Sequence, residues 1–233
     1  MRAGPPGPAP VLPPSERDGP ARVNLASSDS GETEKMMLIE QTTVAAAALP
    51  LAQFKAHLRL GTGFADAGDQ DAYLETLLRA ALAAIEARTG KVLISRSFSY
   101  VLYGWRRGGS QSLPVAPVRA VTEIRIVDRG GVAVPVAPER YHLLADAHLP
   151  VVRGTGGAMP GIPFEGSAEI DFEAGFGPDW AAVPEDLGHA VLLLAAHYYE
   201  NRLEQTVGGG AMPFGIAALT DRWRRLRLTP GGA

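Results

Sequence analysis

The sequence predicts an α+β fold, with a small helical bundle, an inserted antiparallel β-sheet or barrel, and a C-terminal helix or arm. Apolar residues recur at helical spacing before residue 90 and after residue 183. Between them, residues 92–174 alternate with a period of two, and glycine or proline separates the short runs. This change of period and return to helix places the sheet between two helical parts.

The composition excludes several classes of protein. The chain has 233 residues, of which 46% are hydrophobic and 20% charged, which is typical of a globular domain. It has no cysteine, so disulfides and cysteine-ligated zinc are excluded. The net charge of −3 gives no global attraction to nucleic acid, and no apolar run is long enough to span a bilayer, so no membrane partner is expected.

The first 35 residues differ from the rest of the chain. Residues 1–20 contain seven prolines, and residues 21–35 are rich in serine, aspartate, glutamate and glycine. Because no apolar periodicity is present, we expect residues 1–35 to form a disordered, proline-rich extension. A second hypothesis is that translation starts at Met36 or Met37, where a more ordered sequence begins.

Two helices are predicted before the sheet. Residues 50–60 place Leu51, Phe54 and Leu58 on one face of a short helix. Residues 71–89 form a longer helix with a core stripe of leucine, alanine and isoleucine, and Gly90 stands where a left-handed C-terminal cap belongs. This second helix has the clearest periodicity in the sequence.

The helix predicted over residues 184–201 organises the second helical part. Pro184 suits its first position, and the carboxylates of Glu185 and Asp186 favour the positive end of the helix dipole. The helix is apolar on nearly all sides, so it is buried on more than one side. Its second side is covered either by other parts of the same subunit, which makes it a central core helix, or by another subunit.

The last predicted strand, over residues 167–174, carries three acids on one face. Ile170 and Phe172 point to the core, so Glu169, Asp171 and Glu173 point away from it. A solvated sheet face is the favoured interpretation. Paired carboxylates also suit a small carboxylate-dependent hydrolase. In a ring, the same acids would line a channel through which DNA phosphates pass without sticking.

The C-terminal residues 204–233 are predicted to form a hinged docking segment. Three consecutive glycines at 208–210 allow the segment to swing. Beyond them, arginines surround Trp223, and both residue types are common interface anchors. Protein docking is therefore favoured over an alternative in which a DNA-binding accessory protein contacts phosphates through Arg222, Arg224, Arg225 and Arg227.

No catalytic, cofactor or metal site is predicted. The sequence contains no phosphate-binding loop, no zinc-protease motif and no nucleophile elbow. His189 and His197 share one helix but lie eight residues apart, whereas two zinc ligands on one helix need a spacing of about four. We expect a protein that is not an enzyme and needs no cofactor.

An ordered set of short motifs resembles a known family. The motifs are Lys55-Ala56-His57-Leu58, Arg88-Thr89-Gly90-Lys91, the Pro114 and Pro117 step, the Gly175-Phe176-Gly177 turn, Val183-Pro184, and Tyr198-Tyr199-Glu200-Asn201-Arg202. In this order they resemble the head–tail connector, or adaptor, family of tailed bacteriophages and phage-derived gene transfer agents. The resemblance covers residues 36–228, with the connector core over 36–203 and the proline-rich start as a departure.

The resemblance implies a structural protein of a virion or phage-like particle, made in the bacterial cytoplasm and placed at the head–tail junction. It implies a ring, typically of twelve copies, that binds the portal protein and the tail or stopper protein while DNA passes through. The expected portal-docking residues are Phe214, Arg222, Trp223, Arg224, Arg225 and Arg227. The expected subunit interface contains Leu192, Leu193 and Tyr199, and the expected channel-lining acids are Glu169, Asp171 and Glu173.

Overall fold

A computed structural model describes residues 22–23, 36–58, 70–106, 109–201 and 212–224. The helices are α1 (Leu51–His57), α2 (Asp71–Thr89), α3 (Glu185–Glu200) and α4 (Phe214–Asp221). The strands are β1 (Arg22–Val23), β2 (Met36–Glu40), β3 (Arg96–Leu102), β4 (Ser110–Ser112), β5 (Val118–Val127), β6 (Ala133–Pro135), β7 (Tyr141–Leu144), β8 (Val151–Gly154) and β9 (Ser167–Ala174). The predicted α+β class is confirmed. No helix in these ranges combines the length and the apolar character needed to cross a bilayer.

The strands form two antiparallel sheets and not a barrel. The large sheet has the order β1-β2-β3-β9-β5-β6, and the small sheet has the order β4-β8-β7. The barrel alternative of the sequence analysis is therefore wrong, because the large sheet ends at β1 and β6 and these two strands do not pair with each other. Strand β9 lies inside the sheet and is held on both sides, by β3 and by β5.

Strand β2 was not predicted from the sequence. It pairs along its whole length with β3, from Met36 opposite Leu102 to Glu40 opposite Phe98. The two residues of β1 continue the sheet by pairing with Leu38 and Ile39. The other residues of the predicted disordered extension, 1–21 and 24–35, lie outside the described residues, as do the hinge glycines at 208–210.

The two sheets enclose one hydrophobic core. Alternation turns Phe98, Ile170 and Phe172 of the large sheet inward, and the rings of Phe98 and Phe172 stack with centroids 5.7 Å apart. The small sheet contributes Val152, with Leu113 and Met159 from the neighbouring loops. The side chains at the intervening positions of both sheets therefore point away from this core, on opposite sides of a two-layer sandwich.

The helices enclose a second core. The stripe predicted on α2 is buried as expected, and Leu74, Leu78 and Ile85 have no exposed surface. Helix α3 packs against α2, α1 and α4, and buries Leu187, Val191 and Leu194 among other residues. The bundle therefore covers α3 on several sides within a single subunit.

Two short links join the bundle to the sandwich. Ile94, before β3, belongs to the bundle core, whereas Phe98 belongs to the sandwich core. After β9, Gly175 turns the chain with a φ of +135°, and a Cβ atom there would lie 2.5 Å from the backbone of Ser95. Only glycine fits this close crossing of the two links. The next residue, Phe176, packs against the bundle core.

Candidate docking surfaces

The three acids of β9 point away from the core, as predicted, but they are not a bare acidic stripe. The neighbouring strand β5 brings Arg125 alongside them. Its guanidinium nitrogens lie 2.9 Å from the carboxylates of both Glu169 and Asp171, and 2.6 Å from that of Glu123. The third acid, Glu173, lies 3.6 Å from Arg119. Two arginines thus partly neutralise four acids on this side of the sheet.

The environment of Arg125 keeps these charges paired. Hydrogen bonding to Glu169, with further contributions from Glu123 and Asp171, raises the pKa of the Arg125 guanidinium above its ordinary value. Arg125 is therefore charged at every accessible pH, and its planar group can donate to two carboxylates at once. This arrangement holds the carboxylates of Glu169 and Asp171 in ionic pairs with one guanidinium group.

The hydrolase alternative gains no support from the cavity found among the described residues, because none of these acids lines it. A cavity of about 370 Å³ lies instead beside α1, where its lining includes Pro50, Gln53 and Trp180. The indole nitrogen of Trp180 donates to Gln53 across this groove at 3.1 Å. The cavity contains one carboxylate, Asp179, and no partner for acid–base chemistry.

The C-terminal segment exposes three of its predicted docking residues and half-buries Trp223. Phe214, the first residue of α4, is 89% exposed. Arg222 and Arg224 are also exposed, whereas Arg225 and Arg227 lie outside the described residues. Helix α4 itself packs on α2 and α3 through Ile216 and Thr220, which are buried. In this structure the segment lies against the bundle, and its hinge stays a prediction.

Trp223 is the main contact between the end of α4 and the bundle. Its indole nitrogen donates to Asp186 at 2.6 Å, and its ring meets Phe176 edge to face at 5.6 Å. Arg222 lies 2.7 Å from the same carboxylate and stacks over the indole. Burial favours a higher pKa for Asp186, but the hydrogen bonds from Trp223 and Arg222 outweigh it and hold the pKa below its usual range.

A second anchor lies in the last turn of α4, just before Trp223. Arg88, near the end of α2, donates to the hydroxyl of Thr220 at 2.9 Å and to the carboxylate of Asp221 at 3.0 Å. These contacts were not predicted, because the segment was expected to be an arm that can swing. Asp186 at the start of α3 and Phe176 between two glycines were visible in the sequence. Spacing alone does not show that both of them contact Trp223.

The predicted subunit-interface residues lie on the outer part of the bundle. Leu192, Leu193 and Tyr199 are all half-buried, and Tyr199 contacts the ring of Tyr73 at 6.4 Å. Tyr73 belongs to the exposed side of α2, which carries no charged residue. That uncharged side consists of Ala72, Tyr73, Thr76, Ala80, Ala83 and Ala87.

No group of three or more metal-ligating side chains occurs within the described ranges. His189 is exposed, and the ring of His197 lies 2.9 Å from the amide of Asn201, next to the end of α3. His148 lies 3.1 Å from the amino group of Lys91, a buried lysine that also donates to the carbonyl of Ala147. His148 and His197 therefore have polar side-chain partners.

Comparison with known proteins places these surfaces in context. No protein-family model matches the chain, and no curated protein does. The chain is similar to a protein in a structure described as the neck of an empty GTA particle computed with C6 symmetry. The two are 53% identical with a TM-score of 0.76, over 84% of this chain and 98% of the other.

Two further solved structures show the same similarity. A protein in the virion of a native gene transfer agent (GTA) particle is 52% identical, with a TM-score of 0.74, over 83% of this chain and 98% of its own. A protein in the neck of a native GTA particle computed with C12 symmetry is 48% identical, with a TM-score of 0.72, over 84% and 98%. Because these proteins are matched almost end to end at high identity, the chain belongs to the head–tail connector, or adaptor, family of phage-derived gene transfer agents.

Proposed function

We propose that this protein is a structural component of the particle neck, where it forms a ring adaptor between the portal and the tail and leaves a central passage for DNA. The observation that carries the proposal is its near end-to-end similarity to proteins of GTA necks, two of which come from structures computed with C6 or C12 symmetry. The pairing of the acids with arginine, and a cavity that none of them lines, favour a structural role over a catalytic one.

The C-terminal segment is the proposed portal-docking element. Its exposed Phe214 offers an aromatic anchor, and the exposed guanidinium groups of Arg222 and Arg224 flank the same segment. Such a combination of an apolar anchor and a charged rim is typical of protein interfaces. Arg225 and Arg227 extend the charge of this element in the sequence.

Binding to the portal protein tests this assignment. Deleting residues 211–233 is expected to abolish portal binding and leave the core folded, as measured by light scattering of the mixture and by circular dichroism. Phe214→Ala is expected to weaken binding at least about tenfold, as truncation of an anchor residue does. Phe164→Ala is the matched control, because Phe164 is 85% exposed but precedes β9 at the opposite end of the sandwich. Unchanged portal binding by the deletion variant would refute the assignment.

For the subunit contact we propose the outer part of the bundle, where Leu192, Leu193 and Tyr199 adjoin the uncharged side of α2. Half-buried leucines next to a surface without charge need little desolvation on association, which favours a close helix contact. Leu193→Glu is expected to lower the fraction of chain in rings, as measured by light scattering. Arg129→Glu is its control, because it introduces the same charge at a turn of the sandwich where the side chain is 77% exposed.

DNA passage would require a channel that does not bind phosphate. The acids Glu169, Asp171 and Glu173 were predicted to line it, and that hypothesis stays a prediction. Their pairing with Arg119 and Arg125 leaves this side of the sheet with only part of its negative charge.

A further inference from the structure

The β-sandwich has two outer faces of opposite charge. The outer side of the large sheet, here called the acidic face, carries four carboxylates and two guanidinium groups: Glu123, Glu169, Asp171, Glu173, Arg119 and Arg125. The outer side of the small sheet, here called the basic face, carries Arg140, His142 and Arg153. Alternation along β7, β8 and β9 fixes the directions of His142, Arg153 and the three acids of β9, because the residues between them point into the shared core. Arg119 lies at an irregularity of β5 and joins the acidic face through its contact with Glu173, and Arg140 is in the turn that leads into β7.

The excess charge on each face is accessible. On the acidic face Arg125 is occupied by its neighbours, and the most exposed carboxylates are those of Glu123 at 42% and Glu173 at 45%. On the basic face Arg140 and Arg153 are exposed and make no ion pair or hydrogen bond with any described side chain. The acids of the same hairpin, Glu139 and Asp146, do not pair with them either, and Asp146 instead accepts hydrogen bonds from the backbone of His148 and Leu149.

The geometry points to contact between the acidic face of one copy of this chain and the basic face of the next copy, an inference that rests on the proposed ring. A closed ring is built from head-to-tail interfaces, each of which joins two different surfaces of the same subunit. The two faces meet this requirement, because they lie on opposite sides of one sandwich and have complementary charge. Leu144, 40% exposed and two residues beyond His142 on β7, supplies an apolar contact.

A second copy fits these faces better than DNA does. A DNA-binding surface needs an extended basic region, whereas the basic face has two arginines and one histidine, and the acidic face repels phosphate. Two arginines are enough to select one orientation of a protein partner whose acids are fixed in space. Arginine also suits this role because its planar group pairs with a carboxylate through two hydrogen bonds.

Charge reversal tests the contact. Arg140→Glu with Arg153→Glu makes the basic face acidic, and Glu123→Arg with Glu173→Arg makes the acidic face basic. Each double variant is expected to weaken ring formation at least about tenfold, because like charges then face each other. The quadruple variant restores opposite charges and is expected to form rings within about threefold of the unmodified chain. Ring formation is measured by light scattering of the full chain, alone and with portal protein.

A matched control separates this effect from general charge changes. Arg129→Glu alters a side chain that is 77% exposed at the turn between β5 and β6, on neither face, and is expected to leave ring formation unchanged. Circular dichroism checks that every variant is folded. Rings that form normally in both double variants would overturn the inference, as would a quadruple variant that assembles no better than the doubles.

Two other outcomes are distinguishable. If the unmodified chain forms no ring and no complex with portal, the proposed function itself fails. If the double variants form normal rings but particles containing them lose DNA transfer, the acids act in the channel and the inference is overturned in favour of that role.

Discussion

Arg96 shows how one side chain connects several elements. Its guanidinium group is 7% exposed and lies 2.7 Å from Glu86 of α2 and 3.3 Å from Glu40 of β2. The other oxygen of Glu86 accepts the backbone N–H of Leu93 at 2.7 Å. Burial raises the pKa of Glu86 even though Arg96 and these hydrogen bonds favour its charged form. A buried charge of this kind depends on its partner.

Replacing Arg96 by methionine should therefore destabilise the fold in a pH-dependent way. At pH 7.5 the change leaves Glu86 charged without its cation, and we expect a loss of about 3–5 kcal/mol in the free energy of unfolding. The folded-state pKa of Glu86 is raised, so protonation favours the folded state, and this contribution is lost as the pH rises through that pKa. The penalty of Arg96→Met should thus be smaller at pH 5, as measured by urea unfolding against the unmodified chain.

A second substitution provides the control for this prediction. Adding Glu86→Gln to Arg96→Met removes the unpaired charge and keeps a hydrogen-bond acceptor for Leu93. The double variant should recover part of the stability at pH 7.5 and lose the difference between the two pH values. An equal penalty for Arg96→Met at both pH values would contradict the ionic account.

At the residue scale, sequence patterns predicted which side of the sheet a side chain faces better than they predicted which residue it contacts. The alternation in β9 correctly placed Glu169, Asp171 and Glu173 on the side away from the core. It did not show that Arg125 would lie between two of them, because that contact depends on the pairing of β9 with β5 across 44 residues of chain. The candidate acids were visible in the sequence, and their neutralisation was not.

At the scale of elements, two of the contacts that hold the end of α4 to the bundle meet at Asp186. Replacing Asp186 by alanine removes the acceptor of both Trp223 and Arg222. We expect the local opening of α4 to become easier by about 1–2 kcal/mol, most of it from the Trp223 hydrogen bond because Arg222 is exposed. Faster hydrogen exchange in residues 212–224 and a red-shifted Trp223 emission would report the release.

The neighbouring acid gives a matched control. Glu185 occupies the same first turn of α3 and has the same favourable interaction with the helix dipole, but among the described residues it forms no hydrogen bond or ion pair with α4. Glu185→Ala should leave exchange in residues 212–224 unchanged. If both variants behave alike, the effect belongs to the start of α3 and not to the docking of α4.

The elements with strong periodicity were the ones that the sequence predicted well. Helix α2 has the predicted bounds, and its Gly90 adopts the left-handed cap with a φ of +67°. Strand β2 was missed because its five residues, Met36–Glu40, are mostly apolar without clear alternation, and a run of this length has no distinct period. Its place in the sheet depends on long-range pairing with β3, which local sequence does not encode.

At the scale of the whole molecule, the order of the helical and β parts along the chain was predictable. Whether the strands close into a barrel was not. A series of short runs of period two suits either an open sheet or a barrel, and only the pairing of the edge strands decides between them. The structure resolves this by layering two open sheets over one core. The resemblance to the connector family, by contrast, identified the family correctly, because it depends on the order of the motifs along the chain and not on contacts between them.

The two cores should unfold as one unit, although they are separate clusters of side chains. Ile94 lies in the bundle core and Phe98 in the sandwich core, and the Glu86–Arg96 pair crosses the same boundary. A cavity in one core should therefore destabilise both. Leu78→Ala in α2 is expected to cost about 2–5 kcal/mol, because Leu78 is fully buried.

The tryptophans allow this coupling to be measured. Trp105 packs on the sandwich core and donates to the carbonyl of Pro160 at 2.7 Å, whereas Trp180 and Trp223 pack on the bundle. In a Trp180→Phe/Trp223→Phe background, Leu78→Ala should shift the urea midpoint of Trp105 fluorescence as much as that of the helical circular dichroism signal. Phe172→Ala in the sandwich should shift both signals in the same way. A Trp105 transition that stays in place while the helical signal moves would mean that the sandwich folds independently, and that the buried pair at the boundary does not couple the two parts.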